Sequence, residues 1–310
     1  MNDGGLAMAL GTMHFGTRVG RDESFALLDQ YVDAGGRWID TANCYAFWND
    51  PAGASGQSEQ VIGDWLTARP GMRERVLIGT KVGATPAGDG TEGLSAPVVR
   101  QELRASLTRL QTDRVDLYWA HKEDRGIDLA QSVAAFGEAQ AQGLVDQVGW
   151  SNHPVWRVER ARAIAVAAGM PAPSAIQQRW SYLHPRPDVE VEGEDHPYGM
   201  MTPETLDYAH ENPDVELWGY TALLTGFYDK AGTSLPPSYD HPGTHDRLER
   251  LASIAQAHGA QHGQIVLAWM RHSDPAVRPI VGVSRPEQLT SAVEAMQIEL
   301  AADEMATLDA

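Results

Sequence analysis

Four polar residues stand at or just beyond the ends of apolar runs. Asp40 closes "RWID", Lys81 closes "VLIGTK", His121 closes "VDLYWAH", and Tyr45 follows Asp40 in "DTANCY". Singly, each has an ordinary reading: a helix cap or turn for the aspartate, a satisfied core residue for the histidine beside aromatics, a loop anchor for the tyrosine. Lys81 is harder to dismiss. The chain has only three lysines (Lys81, Lys122 and Lys230), and a charge at the end of an apolar run needs a partner. Asp40 supplies one. An unperturbed phenol, with a pKa of ~10, is a poor acid near neutral pH, but an adjacent ammonium favours the phenolate. Lys81, oriented by Asp40, thus makes Tyr45 a candidate proton donor, while His121 could hydrogen-bond a carbonyl oxygen and fix it near the phenol. A carbonyl that gains a proton on oxygen must take a nucleophile on carbon. No serine or cysteine is obviously placed for that, and hydride from a bound nicotinamide fits the gap.

The elements that must position these groups follow a βα rhythm. Strand candidates lie near Met8–Met13, Trp38–Ala42, Val76–Val82, Val115–His121, Gln147–Asn152, Ala175–Trp180, Glu216–Thr221 and Pro279–Val283. Between them, apolar residues recur at three and four, as in Phe25, Leu28, Val32; Val99, Leu103, Leu107, Leu110; Leu129, Val133, Phe136; and Leu289, Val293, Met296, which puts each set on one helix face. Helix starts are signalled by Asn152 before Pro154, Thr202 before Pro203, and Ser284 with Glu287 as a capping box. Gly35, Gly143, Gly169 and Gly259 mark helix ends. Eight such units predict an α/β fold, a closed (β/α)8 TIM barrel in a single domain over residues 1–310, with an open doubly wound sheet as the alternative. His184–Met201 and Thr225–Thr244 read as long loops on the functional face.

Asp and Glu outnumber Lys and Arg by 42 to 24, a formal charge of −18, which argues against nucleic acid and anionic membranes as partners. No leader-like N-terminus and no 18-residue apolar run occur, so a cytoplasmic, soluble protein is expected. The one cysteine, Cys44, reads as a small buried hydrophobe. The 11 histidines form no His-x-His or His-Glu-x-x-His, and no metal is expected. "GDGTEG", Gly88–Gly93, satisfies a dinucleotide-binding pattern but carries Asp89 and Glu92 where a pyrophosphate would sit, and reads as a flexible loop.

Seven segments in one order, "GTMHFG", "DTANCY", "GTK", "DLYWAHKED", "VGWSN", "IQQRWS" and "PIVGVSRPEQL", resemble those of the aldo-keto reductase family across nearly the whole chain. The resemblance implies a (β/α)8 barrel, NADP(H), and a catalytic tetrad of Asp40, Tyr45, Lys81 and His121. It implies that Ser151, Asn152 and Gln177 bind the nicotinamide carboxamide and that Trp180 stacks on the ring. Gly11, Thr12, Met13, Asp40 and Tyr220 join them as cofactor contacts, and Ser284, Arg285 and Gln288 match the adenosine-phosphate segment. Tyr45, Phe47, Trp48, Trp119 and His121 are the expected substrate-binding residues. There are departures: Ala46 stands where the family often has glycine, and Ala292 where an asparagine commonly contacts adenine. The hairpin before the first strand is short, as is the tail after Met296, which suggests a more open pocket. The expected activity is NADPH-dependent reduction of an aldehyde or ketone with Tyr45 as proton donor; a cofactor-binding sensor with little turnover is the alternative. The sequence points to no particular carbonyl substrate and no oligomeric state.

Overall fold

A computed structural model describes residues 4–49, 54–187, 189–191, 199–230 and 234–310. Eight strands run β1 (Ala9–Gly11), β2 (Trp38–Asp40), β3 (Leu77–Val82), β4 (Val115–Ala120), β5 (Val145–Ser151), β6 (Ala175–Arg179), β7 (Glu216–Tyr220) and β8 (Val277–Gly282). Each pairs in parallel with its sequence neighbour, and β1 pairs with β8, closing the barrel. All eight expected strands are present, each within two residues of the expected ends. The open-sheet alternative is excluded.

Alternation along each strand sorts the side chains. Ala9, Trp38, Leu117, Trp119, Ala175, Trp218 and Ile280 pack together inside the barrel, whereas Leu10, Ile39, Ile78, Tyr118, Trp150, Ile176, Leu217 and Val281 pack with the helices. Two residues beyond an inward residue comes another. The inward layer at the C-terminal ends is therefore Gly11, Asp40, Lys81, His121, Ser151, Gln177, Tyr220 and Gly282. Register keeps Gly11 opposite Asp40 and Ser151 opposite Gln177 within this layer, and steps by one layer around Lys81, which lies opposite Trp119 while Asp40 lies opposite Gly79.

Trp119 fills the layer below, and glycine neighbours make room for it. A Cβ on Gly149 would lie 2.3 Å from the indole ring, and one on Gly79 3.1 Å from Nε1. Deeper still, the buried Arg278 guanidinium lies 5.0 Å from the Trp218 ring centroid and 3.7 Å from Glu216.

The outer ring includes α1 (Arg21–Asp33), α2 (Gln57–Ala68), α3 (Ala96–Leu110), α4 (Leu129–Ala141), α5 (Val155–Ala167), α6 (Pro203–Glu211), α7 (Pro242–His258), α8 (His262–His272) and α9 (Pro286–Ala295). Helix α10 (Ala302–Asp309) docks on α7 and α8 and anchors through Tyr182 Oη, which donates to Leu308 O at 3.0 Å. Gly35, Gly143, Gly169 and Gly259 all have positive φ, the conformation expected of glycine after a helix. The start at Thr202 is a true capping box, closed by Thr205.

Three local expectations need correction. The α9 N-cap is Arg285, not Ser284, and it is Gln288 rather than Glu287 that reaches back, accepting from Ser284 N at 2.9 Å. Helix α5 caps at Pro154, and Asn152 instead takes a left-handed φ of 58°. Gly88–Gly93 is not a loose loop. Pro86–Ala87 and Gly90–Thr91 pair as a hairpin, and Glu92 accepts from Gly83 N at 2.7 Å and Asn43 Nδ2 at 2.9 Å. Of the two long loops, residues 188, 192–198 and 231–233 lie outside the described residues; Leu224–Asp229 forms a helical turn. Among the described residues no helix is long and apolar enough to cross a membrane.

Overpacking beside a filled barrel layer is costly, so Gly149→Ala should lower stability by about 2 kcal/mol in urea titration. An unchanged midpoint would show that Trp119 is not wedged as described.

Candidate active site

The Lys81 side chain is wholly buried. An ammonium has three N–H donors, and all are committed: to Asp40 Oδ2 at 2.5 Å, to the Thr41 carbonyl at 2.8 Å and to Tyr45 Oη at 3.1 Å. Asp40 Oδ1 accepts from Gln177 Nε2 at 3.1 Å. Burial raises the Asp40 carboxyl above its usual range, and the Lys81 charge and the two hydrogen bonds act the other way. The Tyr45 oxygen accepts from Lys81, and a phenol that accepts in this way still carries one O–H donor.

His121 stands against Tyr45 with ring centroids 5.8 Å apart and planes at 79°. Its backbone is held on both sides: N donates to Val82 O at 2.8 Å, and O accepts from Asn152 Nδ2 at 2.9 Å. Burial first, then the Lys81 and Lys122 charges, hold the imidazole well below the usual histidine pKa. It is neutral at pH 7.

The residues expected around a nicotinamide divide by strand parity. Gln177 and Tyr220 point inward. Tyr220 Oη donates to Asn152 Oδ1 at 2.9 Å, and Asn152 Nδ2 also donates to Ser151 Oγ at 3.2 Å. The left-handed backbone at Asn152 turns this amide back toward His121 and Tyr220. Trp180 belongs to the other parity. Trp180 is buried and its ring stacks on Trp269 of α8 at 5.7 Å and 22°, so the stacking role expected for it does not match its placement on the helix side. Tyr220, packed against the interior cluster, is the aromatic ring in the inward layer.

At β1, Gly11 permits close approach of β8, since a Cβ would meet Ile280 at 3.1 Å. Thr12 is buried, with Oγ1 donating to Asp40 O at 2.9 Å, and Met13 is 38% exposed. Ser284, Arg285 and Gln288 are exposed together at the start of α9, with Ser284 Oγ donating to Gln288 Oε1 at 3.2 Å. Ala46 and Ala292 are both buried.

Of the expected substrate residues, Phe47 and Trp48 lie on a short 3-10 turn, Phe47–Asn49. Trp48 is edge-on to Phe47 at 5.0 Å and to Tyr45 at 6.1 Å and is exposed. Asn49 Nδ2 donates to His14 Nδ1 at 3.1 Å, tying the turn to the segment after β1. Trp119 is a correction: it is 0% exposed, because the inward parity that brings His121 to the mouth places Trp119 one layer down. Sequence reasoning passed over three partners. Thr41 acts through its carbonyl, for which no side-chain signal exists; Cys44 Sγ lies 3.7 Å from His121 Nδ1, and its place beside Tyr45 was the available clue; the Asn49–His14 tie joins distant loops. Among the described residues no three His, Cys, Asp or Glu gather as a metal-ligating group. A surface cleft of ≈ 470 Å³ between α8 and α9 lies apart from this cluster.

The aldo/keto reductase family model matches residues 7–310. An uncharacterized oxidoreductase of Bacillus subtilis is 30% identical, with 94% of this chain and 88% of that protein covered. Norsolorinic acid reductase of Emericella nidulans is 29% identical, covering 96% of this chain and 76% of that protein. A crystal structure of a thermostable aldo-keto reductase with the inhibitor epalrestat superimposes with a TM-score of 0.74 at 27% identity, covering 98% of this chain and 94% of the other. The chain belongs to the aldo/keto reductase family, and is an oxidoreductase of a kind that reduces carbonyl groups.

His184, packed on Trp180 at 4.9 Å, is lowered by burial and by Arg247 from the ordinary 6.5 to about 4. Below 6.5 the unfolded chain takes up this proton and the folded chain does not, so folding stability falls as pH drops toward 4. Relative to His184→Phe, the wild type should lose on the order of 3 kcal/mol across that window, read by urea titration at pH 7 and pH 4.5. A constant difference would show that His184 titrates normally.

Proposed function

We propose that the chain reduces an aldehyde or ketone with hydride from NADPH, and that Tyr45 gives the carbonyl oxygen its proton. The observation that carries this reading is the Lys81 ammonium, 3.1 Å from Tyr45 Oη while paired with Asp40 at 2.5 Å. A fixed cation beside the phenol favours the phenolate that forms as the proton leaves. Asp40 orients that cation and does not exchange protons with substrate. The neutral His121 imidazole offers one N–H to the carbonyl oxygen, which would hold it within reach of the Tyr45 hydroxyl.

The donor set suits a nicotinamide dinucleotide. Ser151, Asn152 and Gln177 would bind the carboxamide, and the Tyr220 ring gives a π face at the same level. Ser284, Arg285 and Gln288 are exposed at a helix N-terminus, where a guanidinium and N–H donors suit the 2′-phosphate that distinguishes NADPH. When bound, the cofactor supplies the hydride. Phe47 and Trp48 form the apolar rim of a pocket for a small carbonyl substrate. The net charge of −18 fits a cytoplasmic protein with no nucleic-acid partner.

Tyr45→Phe should lower turnover of a test aldehyde by about 100-fold or more, with NADPH affinity, read by fluorescence quenching, within about twofold. Turnover near wild type would reject Tyr45 as the donor, and negligible turnover in the wild type would favour the sensor reading.

A further inference from the structure

His121 can direct a carbonyl oxygen only if its single N–H lies on the correct nitrogen, and nothing in the backbone clamp selects between the two. The ring is neutral, so it exists as Nδ1–H or Nε2–H. Nδ1 is turned toward Cys44 Sγ at 3.7 Å, which leaves Nε2 on the opposite side of the ring. Cys44 is 2% exposed, and among the described residues His121 Nδ1 is the side-chain group within hydrogen-bond reach of its sulfur. Burial pushes the thiol up to about 12, so the sulfur keeps its hydrogen at all working pH values.

Two arrangements of the contact are possible. With hydrogen on Nδ1, the ring faces a poor sulfur acceptor and the S–H is left with no acceptor of its own. With hydrogen on Nε2, the S–H donates to the Nδ1 lone pair, and both groups are satisfied. We propose that the Cys44 thiol holds His121 as the Nε2–H tautomer, making Cys44 a positioning residue that acts through the imidazole. The proposal rests on the carbonyl-reductase reading for its consequence, but the tautomer itself is a property of the free chain. Cys44 therefore does something other than fill space. It converts a buried strand-end loop position into a selector for the histidine.

The test uses the full chain labelled with ¹⁵N in histidine, with long-range ¹H–¹⁵N correlation spectra in which His121 is assigned through His121→Gln. Wild type should show the Nε2–H pattern. Cys44→Ala, or Cys44→Val should the smaller side chain fail to fold, removes the donor and should give a mixture containing Nδ1–H. In either folded variant, kcat for a test aldehyde should fall about three- to tenfold, the worth of one modest hydrogen bond, with KM for NADPH unchanged. An Nδ1–H wild type, or a pattern unaltered in a folded variant lacking the thiol, overturns the proposal. Loss of the reductase reading, seen as unchanged turnover in Tyr45→Phe, leaves this spectroscopic result to stand or fall on its own.

Discussion

A lysine ammonium sealed from water inside a barrel is tolerable only when each of its hydrogens has an acceptor and its charge a counter-charge. Lys81 meets both conditions through Asp40, the Thr41 carbonyl and Tyr45. These partners come from β2 and the loop that follows it, so the charge is satisfied only if β2 and β3 pair in the observed register, with Asp40 opposite Gly79. Removing the Asp40 carboxylate would leave a buried charge unpaired, at a cost of about 3–5 kcal/mol. The same contacts that make the fold tolerate Lys81 also aim it at the phenol. Stability and chemistry are thus set by one arrangement.

Beneath this group the barrel is unusually filled by indoles. Trp38 lies edge-on to Trp218 at 5.0 Å, and Trp218 to Trp119 at 5.5 Å. Such a packed floor resists water and fixes the layer above it. The polar side chains at the mouth are consequently held from below by large rigid rings and from the side by backbone bonds, as His121 is by Val82 and Asn152. The rim is held differently, by the short turn carrying Trp48.

Much of this is legible in the sequence itself. The strands announce themselves as apolar runs ending in polar residues, Asp40 and His121 fall on inward faces by counting in twos from Trp38 and Trp119, and the Lys81 charge asks for Asp40 as its partner. The same counting, carried past the end of β6, would have put Trp180 outside, since Gln177 is inward and an odd step reverses the face. Trp119 departs from its expected place at the substrate for a related reason: alternation gives the face of a residue but not its depth, and a side chain two residues below the mouth is floor rather than wall. The contacts of Thr41, Asn49 and Glu92 depend on how loops close between strands, which neither period nor composition encodes. For the cap at α9, Gln288 displaced Glu287 because the helix begins one residue later than Ser284 suggested.

The central claim is that the Lys81 charge makes Tyr45 acidic. Its most direct test is the titration of Tyr45, followed by ¹³C NMR with tyrosine labelled at the phenolic carbon, in the wild type and in Lys81→Met. The account predicts that the Tyr45 phenol ionises at clearly lower pH when Lys81 is present; the same midpoint in both proteins would contradict it.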